Sequence, residues 1–221
     1  MTDEVIGSLT GQVDLERGIS LTPYIQVYTT WREGEWFRIY TPEQFYSNTR
    51  LDGCYEIMCD LDFADSYYWS NTLAKGTFIG KINGNGYTVS NVSVVQADNT
   101  QRLGGLFGAL GATANVQDIT FENVTYTVQA GSRNEGPSYG LLAGEIHTQA
   151  TLTGVTVSGT LKIDPAMLIP TDYNIGILSG NGENRDIDIS GITCVKTDEA
   201  DTTLNVSVDE TGNVKLTRAE Q

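Results

Sequence analysis

Five stretches of the chain share one six-residue pattern, and one slot in it admits only residues that tolerate a corner. The stretches are MCDLDF (58–63), VSNVSV (89–94), VQDITF (116–121), LTGVTV (152–157) and ISGITC (189–194). Their third position holds Asp60, Asn91, Asp118, Gly154 and Gly191. Asp, Asn and Gly enter positive φ at least cost, so the slot marks a recurring bend in the backbone. The fourth and sixth positions are apolar and share one side of a strand, which turns them inward. The small polar fifth position faces out. The fourth positions, Leu61, Val92, Ile119, Val155 and Ile192, recur every 27 to 37 residues.

A second element repeats in phase. Gly105, Gly140 and Gly176 each precede two large apolar residues: Leu106 and Phe107, Leu141 and Leu142, Ile177 and Leu178. A small residue follows, Gly108, Ala143 or Ser179. Short strands separated by corners cannot each bury an apolar face alone. Stacking coil upon coil, at the ~4.8 Å strand spacing, buries each face against its own copy. A sandwich would need turn signals every ~8–12 residues, which is denser than this repeat. The pattern predicts an all-β parallel solenoid. The plentiful Thr, Val, Ile, Tyr and Gly agree with strands and turns.

Composition narrows the functional classes. The chain has 28 acidic and 13 basic residues and a formal net charge of −15. Such a surface repels a phosphate backbone and an anionic bilayer, so no nucleic-acid partner and no membrane insertion are expected. No apolar run approaches the ~20 residues that span a bilayer. The beginning, MTDEVIGSLT, lacks the basic and apolar regions of a signal peptide. Cys54, Cys59 and Cys194 form neither a disulfide framework nor a CxxC pattern, although Cys54 and Cys59 are close enough in sequence to bridge. With His147 as the one histidine, zinc sites and histidine-based triads are poorly supplied.

The order of these motifs resembles a known family. GLFG followed by VQDITFENV resembles the GLUG-type repeats of bacterial surface proteins. YEIMCDLDF, a tryptophan and GTFIGKINGNGYTVSNVSV resemble the opening segment of such domains, through Tyr55, Asp60, Asp62, Trp69, Phe78, Gly80, Gly84, Asn85, Gly86 and Tyr87. IYTPEQFYSNT (39–49) resembles the short helix that commonly caps the coil stack there. The resemblance runs from about Trp36 to about Val195 and implies a right-handed parallel β-helix on a secreted or surface-attached protein. VQAGSRNEGPSY (128–139) and DPAMLIPTDYN (164–174) interrupt the coils, as a binding face or as tolerated insertions.

The full expectation is an all-β, right-handed parallel β-helix of about five coils, with an N-terminal capping helix and terminal β-hairpins. It divides into 1–38 (an N-terminal β segment or cap), 39–198 (the β-helix) and 199–221 (a C-terminal hairpin cap or the start of a next domain). WREGEW (31–36) carries a hairpin signal, Thr41 and Pro42 start a helix, and TLNVSVDETGNVKLT alternates on both sides of a turn.

The chemistry-bearing residues each have a bland counterpart. Asp60, Asp62, Asp65, Asp118 and Glu122 are candidate acids, and Arg133 and Arg185 are basic residues on turns whose place the sequence leaves open. Nothing repeats the carboxylate-pair arrangement of glycoside hydrolysis, so no catalytic residue is expected. Asp60, Asp62 and Asp65 could serve calcium, which wants ~6–8 oxygen ligands; solvated carboxylates beside inward Leu61 and Phe63 are the preferred reading, with no metal and no other cofactor. Tyr67, Tyr68, Trp31 and Trp36 are the candidate ligand-binding residues, because aromatic faces can stack on sugar rings. Trp31 and Trp69 can instead cover the open end of the core, which for Trp69 the resemblance supports. His147 is expected in an exposed loop and Cys194 in the core.

The expected function is a non-catalytic adhesion or display module of a bacterial extracellular or cell-surface protein. Its ligand would be a glycan or a protein, and its neighbours other domains of a longer parent chain. The alternatives are a structural spacer and a polysaccharide-active β-helix enzyme.

Overall fold

The computed structural model describes residues 36–48, 50–64, 71–96, 101–129, 136–181 and 187–219. The first elements are β1 (Trp36–Ile39), α1 (Pro42–Asn48), β2 (Cys54–Ile57) and β3 (Leu61–Asp62). Next come α2 (Asn71–Lys75), β4 (Thr77–Phe78), β5 (Lys81–Asn83), β6 (Thr88–Ser90) and β7 (Ser93–Val95). Three coils follow: β8 (Leu103–Gly104), β9 (Phe107–Leu110) and β10 (Asn115–Val128); β11 (Ser138–Tyr139), β12 (Ala143–Ile146) and β13 (Thr151–Ile163); β14 (Asn174–Ile175), β15 (Ser179–Asn181) and β16 (Ile192–Lys196). The last two strands are β17 (Leu204–Val208) and β18 (Val214–Arg218).

Equivalent strands of successive coils pair in parallel. One sheet is β14-β11-β8 and a second is β15-β12-β9-β4. The third runs β1-β2-β5-β10-β13-β16, with β3, β6 and β7 joined beside that path. The fold is therefore almost all β, a parallel solenoid of about three turns with few helices. Two of the repeated glycines fall where neighbouring coils approach closely. A Cβ on Gly105 would lie 2.5 Å from the Gly140 carbonyl oxygen, and one on Gly140 would lie 2.5 Å from the Ser179 Cα.

Pairing corrects the alignment of the six-residue motif. VQDITF and LTGVTV stack in register, Val116 on Leu152 and Phe121 on Val157. VSNVSV does not join them there: Val89 pairs with Phe121 and Val94 with Tyr126. ISGITC likewise sits one bend further on, Ile192 opposite Gly159 and Cys194 opposite Leu161. The motif marks two successive corners of one coil. In β10 these are Asp118 and Asn123, with φ of 51° and 52°; in β13 they are Gly154 and Gly159, with φ of 62° and 147°. Asn91 is left-handed too, at 59°, whereas Asp60 and Gly191 are not among the left-handed residues.

The inward positions behave as the strand period requires. Leu61, Phe63, Val92, Val94, Ile119, Phe121, Val155, Val157 and Ile192 are all buried. Cys194, on the last coil, is half-buried. A chain of aromatic contacts threads the interior: Phe45–Tyr55, Tyr55–Phe78, Phe78–Phe107 and Phe107–Phe121, with ring centroids 5.8, 6.5, 5.6 and 6.3 Å apart. Burying each such ring contributes about 1.5–3 kcal/mol.

The helix α1 starts as its sequence directs. Thr41 Oγ1 accepts the Gln44 N–H at 3.1 Å, and Gln44 Oε1 reaches back to the Tyr40 N–H at 2.7 Å. This reciprocal arrangement is a variant of the capping box, and Pro42 takes the first helical position, where no donor is needed. Trp36 begins β1, which pairs in parallel with β2; residues 31–35 of the expected WREGEW hairpin lie outside the described residues. The second hairpin is present, β17 antiparallel to β18. It is fastened to the last coil: the Ile177 N–H donates to the Gly212 carbonyl at 2.8 Å, and Gly176 bridges Asn213. Tyr173 Oη accepts the Leu216 N–H at 2.9 Å, and the Arg218 guanidinium donates to the Pro165 and Met167 carbonyls. The 164–174 interruption thus holds the hairpin.

Candidate functional site

The parallel stacking of β1 on β2 makes a sheet face whose outward residues differ from those of later coils. Trp36 pairs with Cys54, and Arg38 with Glu56. Phe37 and Ile39 alternate with Trp36, Arg38 and Tyr40, and the latter three are exposed. Trp36 is 46% and Tyr40 51% exposed, high values for large aromatic side chains. At a strand rise of ~3.3 Å per residue, the two aromatic Cα atoms stand ~13 Å apart. Between them the Arg38 Nε meets Glu56 Oε2 at 3.3 Å. The backbone of Tyr40 is pinned from two sides, by Gln44 Oε1 on its N–H and by the Cys59 Sγ on its carbonyl at 3.1 Å.

This arrangement offers two exposed aromatic side chains along β1 and its continuation, with the Arg38–Glu56 donor and acceptor between them. Sugar rings present an apolar face and a rim of hydroxyls, and such a platform suits both. Of the four aromatic residues expected to bind ligand, Trp36 is exposed here; Trp31, Tyr67 and Tyr68 lie outside the described residues, as does Trp69. Tyr40, Arg38 and Glu56 escape a motif search. The signal for them is the alternation in WFRIY, legible once β1 is known to stack on β2.

The candidate carboxylates have structural work. The Asp60 Oδ1 accepts the Thr88 N–H at 2.9 Å. The Asp62 Oδ1 accepts Asn91 Nδ2 at 2.7 Å and the Ala64 N–H at 2.9 Å. The Asn91 hydrogen bond, followed by the Ala64 one, lowers the Asp62 carboxyl below its ordinary range. Asp118 is an exposed corner residue and Glu122 is exposed. Asp65, Arg133 and Arg185 lie outside the described residues. Among the described residues no cluster of three or more His, Cys, Asp or Glu side chains is gathered for a metal.

His147 is exposed, and its Nδ1 accepts the Gln149 N–H at 3.2 Å. All three cysteines are free thiols, so Cys54 and Cys59 do not bridge. Burial pushes the Cys194 thiol up to about 12, which keeps it protonated near neutral pH. Tyr126 is fully buried, and its hydroxyl has no hydrogen-bond partner; burial, then the neighbouring Tyr139, raises its pKa well above the usual value. A Cβ on Gly104 would fall 1.8 Å from that hydroxyl, so the space belongs to the tyrosine.

The fold and the face together define a parallel β-solenoid domain with an exposed aromatic platform. Over 85 residues, 38% of its length, the chain is 37% identical to halomucin of Haloquadratum walsbyi, and it spans about 1% of that protein's length. No family model and no solved structure matches the chain. Among the described residues no helix is long and apolar enough to cross a membrane.

Proposed function

We propose that the chain is a non-catalytic adhesion or display module of a secreted or cell-surface protein, and that Trp36, Arg38, Tyr40 and Glu56 bind a neutral glycan. The observation that carries this reading is the pair of exposed aromatic residues, on β1 and just past its end, that flank the Arg38–Glu56 pair. The formal charge of −15 disfavours a polyanionic sugar. The partial likeness to halomucin is compatible with a surface module in a much longer parent chain. In this reading the solenoid is a right-handed, GLUG-type β-helix. Its partial turns beneath the first coil bring the total to about five, and α1 caps the N-terminal end.

The test is a glycan array with the full chain and with Trp36→Ala and Tyr40→Ala. Binding to a neutral oligosaccharide that falls at least tenfold in each variant is expected. Tyr67→Ala and Tyr68→Ala, screened in parallel, separate this face from the other aromatic candidates. Absence of binding to every array sugar sinks the glycan reading in favour of a spacer. That alternative has its own support in the corner side chains, whose hydrogen bonds serve the coil stack.

A further inference from the structure

Three Asn-x-Ser/Thr sequences occur in the chain: Asn91-Val92-Ser93, Asn123-Val124-Thr125 and Asn205-Val206-Ser207. This tripeptide is the acceptor for N-linked glycosylation, in which the hydroxyl two residues on helps present the side-chain amide. A sequence search cannot rank the three, and the structure does.

Asn91 and Asn123 are corner residues at φ of 59° and 52°, the first half-buried and the second exposed, so exposure does not rank them and bonding does. Their amides are spent on the coil stack: Asn123 Nδ2 donates to Asn91 Oδ1 at 2.6 Å, and Asn91 Nδ2 donates to Asp62 Oδ1 at 2.7 Å. The residues between acceptor and hydroxyl, Val92 and Val124, are 1% and 0% exposed. Delivering either amide to an enzyme would require breaking the hydrogen bond and lifting a core valine out of the solenoid. Asn205 is different. It lies in β17 of the fastened hairpin, opposite Thr217. Asn205 and Ser207 are both exposed on one side of that strand, while Leu204 is buried and Val206 half-buried on the other. Beside Asn205 opens a shallow cleft that includes Cys194, Val195, Lys196 and Glu199, against which a first sugar could rest.

We propose that Asn205 is an N-glycan attachment site and that the coil stack holds the Asn91 and Asn123 amides away from transfer. In the transfer, the Asn205 Nδ2 attacks the anomeric carbon of an oligosaccharide activated on a lipid phosphate or diphosphate. The C–N bond forms, the anomeric C–O bond to phosphate breaks, the lipid phosphate leaves and the amide nitrogen gives up one proton. The inference rests on the surface reading, since only an exported chain meets such a transferase.

The test keeps the two apart. The purified, folded chain is incubated with a solubilised oligosaccharyltransferase and a lipid-diphosphate-linked donor, and intact mass and peptide mapping are read. Peptides spanning 119–127 and 201–209 are included as unfolded acceptors. One glycan per folded chain, mapped to Asn205, is expected. It should vanish in Asn205→Gln and in Ser207→Ala and persist in Asn123→Gln, while both peptides accept. No transfer to the folded chain, or transfer to Asn91 or Asn123 in it, overturns the proposal. Whether the chain is exported is read separately, by fractionating the cells that make it.

Discussion

The corners of the earlier coils and those of the later ones meet the same backbone demand by different means. Asn85, Asn91, Asp118 and Asn123 turn the earlier corners, at φ of 51° to 59°, whereas Gly154 and Gly159 turn those of β13. An asparagine in that conformation has an amide to spend, and Asn123 and Asn91 spend theirs in a row that ends on the Asp62 carboxylate. A glycine turns with less strain but bridges nothing. The later coils are tied instead through the Thr160 and Thr193 hydroxyls, 3.2 Å apart, and through the fastened hairpin. The interior divides less sharply: aromatic rings from Phe45 to Phe121 fill the earlier part, Tyr126 and Tyr139 meet in the middle, and Leu161, Ile163, Leu178 and Ile192 fill the later. A solenoid can thus hold one backbone geometry while changing what binds coil to coil.

The largest blow to the earlier half should come from Phe107→Ala, which removes a ring in contact with both Phe78 and Phe121. A loss of about 3–5 kcal/mol is expected in denaturant unfolding. A loss below about 1 kcal/mol would show that the aromatic chain does not distinguish the two halves. Next, Asn123→Ala forces an ordinary side chain into the left-handed region and deletes an inter-coil hydrogen bond, at about 2–3 kcal/mol. Asn123→Gly deletes only the bond and should cost about 1 kcal/mol. Equal losses in the two variants would mean that φ strain plays no part in the choice of residue. The smallest effect is local and lies in the hairpin. Hydrogen bonds from the Thr211 hydroxyl, then from the Asn213 N–H and others, hold the Asp209 carboxyl down to about 2. A depressed carboxyl stabilises above the usual value near ~4 and ceases to do so as pH falls through its lowered one. Amide exchange should show Asn213 protected at pH 3 and released as pH falls through about 2; release already at pH 4 would contradict it.

Much of the fold was legible because corners and strands leave different marks. The Asp/Asn/Gly slot exposed the bends, and Gly105 and Gly140 exposed the close approach of coils. What stayed hidden was that VQDITF and FENVTY share Phe121, so that one strand turns twice. Both corners favour the same residues, because both need positive φ, and only Val89 pairing with Phe121 tells them apart. The candidate site was legible in Trp36 alone. Arg38 and Glu56 are 18 residues apart and become partners through the parallel register of β1 and β2, a long-range fact that no local window contains.

The amide chain at the corners has a direction. Each asparagine gives its N–H toward the N-terminus, and the last acceptor is a carboxylate, Asp62, which has no amide to pass on. Polarity of this kind makes the coils unequal members of the array: the Asn123 turn cannot change places with the Asp62 turn without reversing donors and acceptors along the row. An asparagine both donates and accepts, so a copied asparagine turn would extend the row, whereas a copied Asp62 turn would set two carboxylates face to face with no donor between them. The growth of this solenoid by copying is therefore open at its asparagine and glycine turns and closed at Asp62.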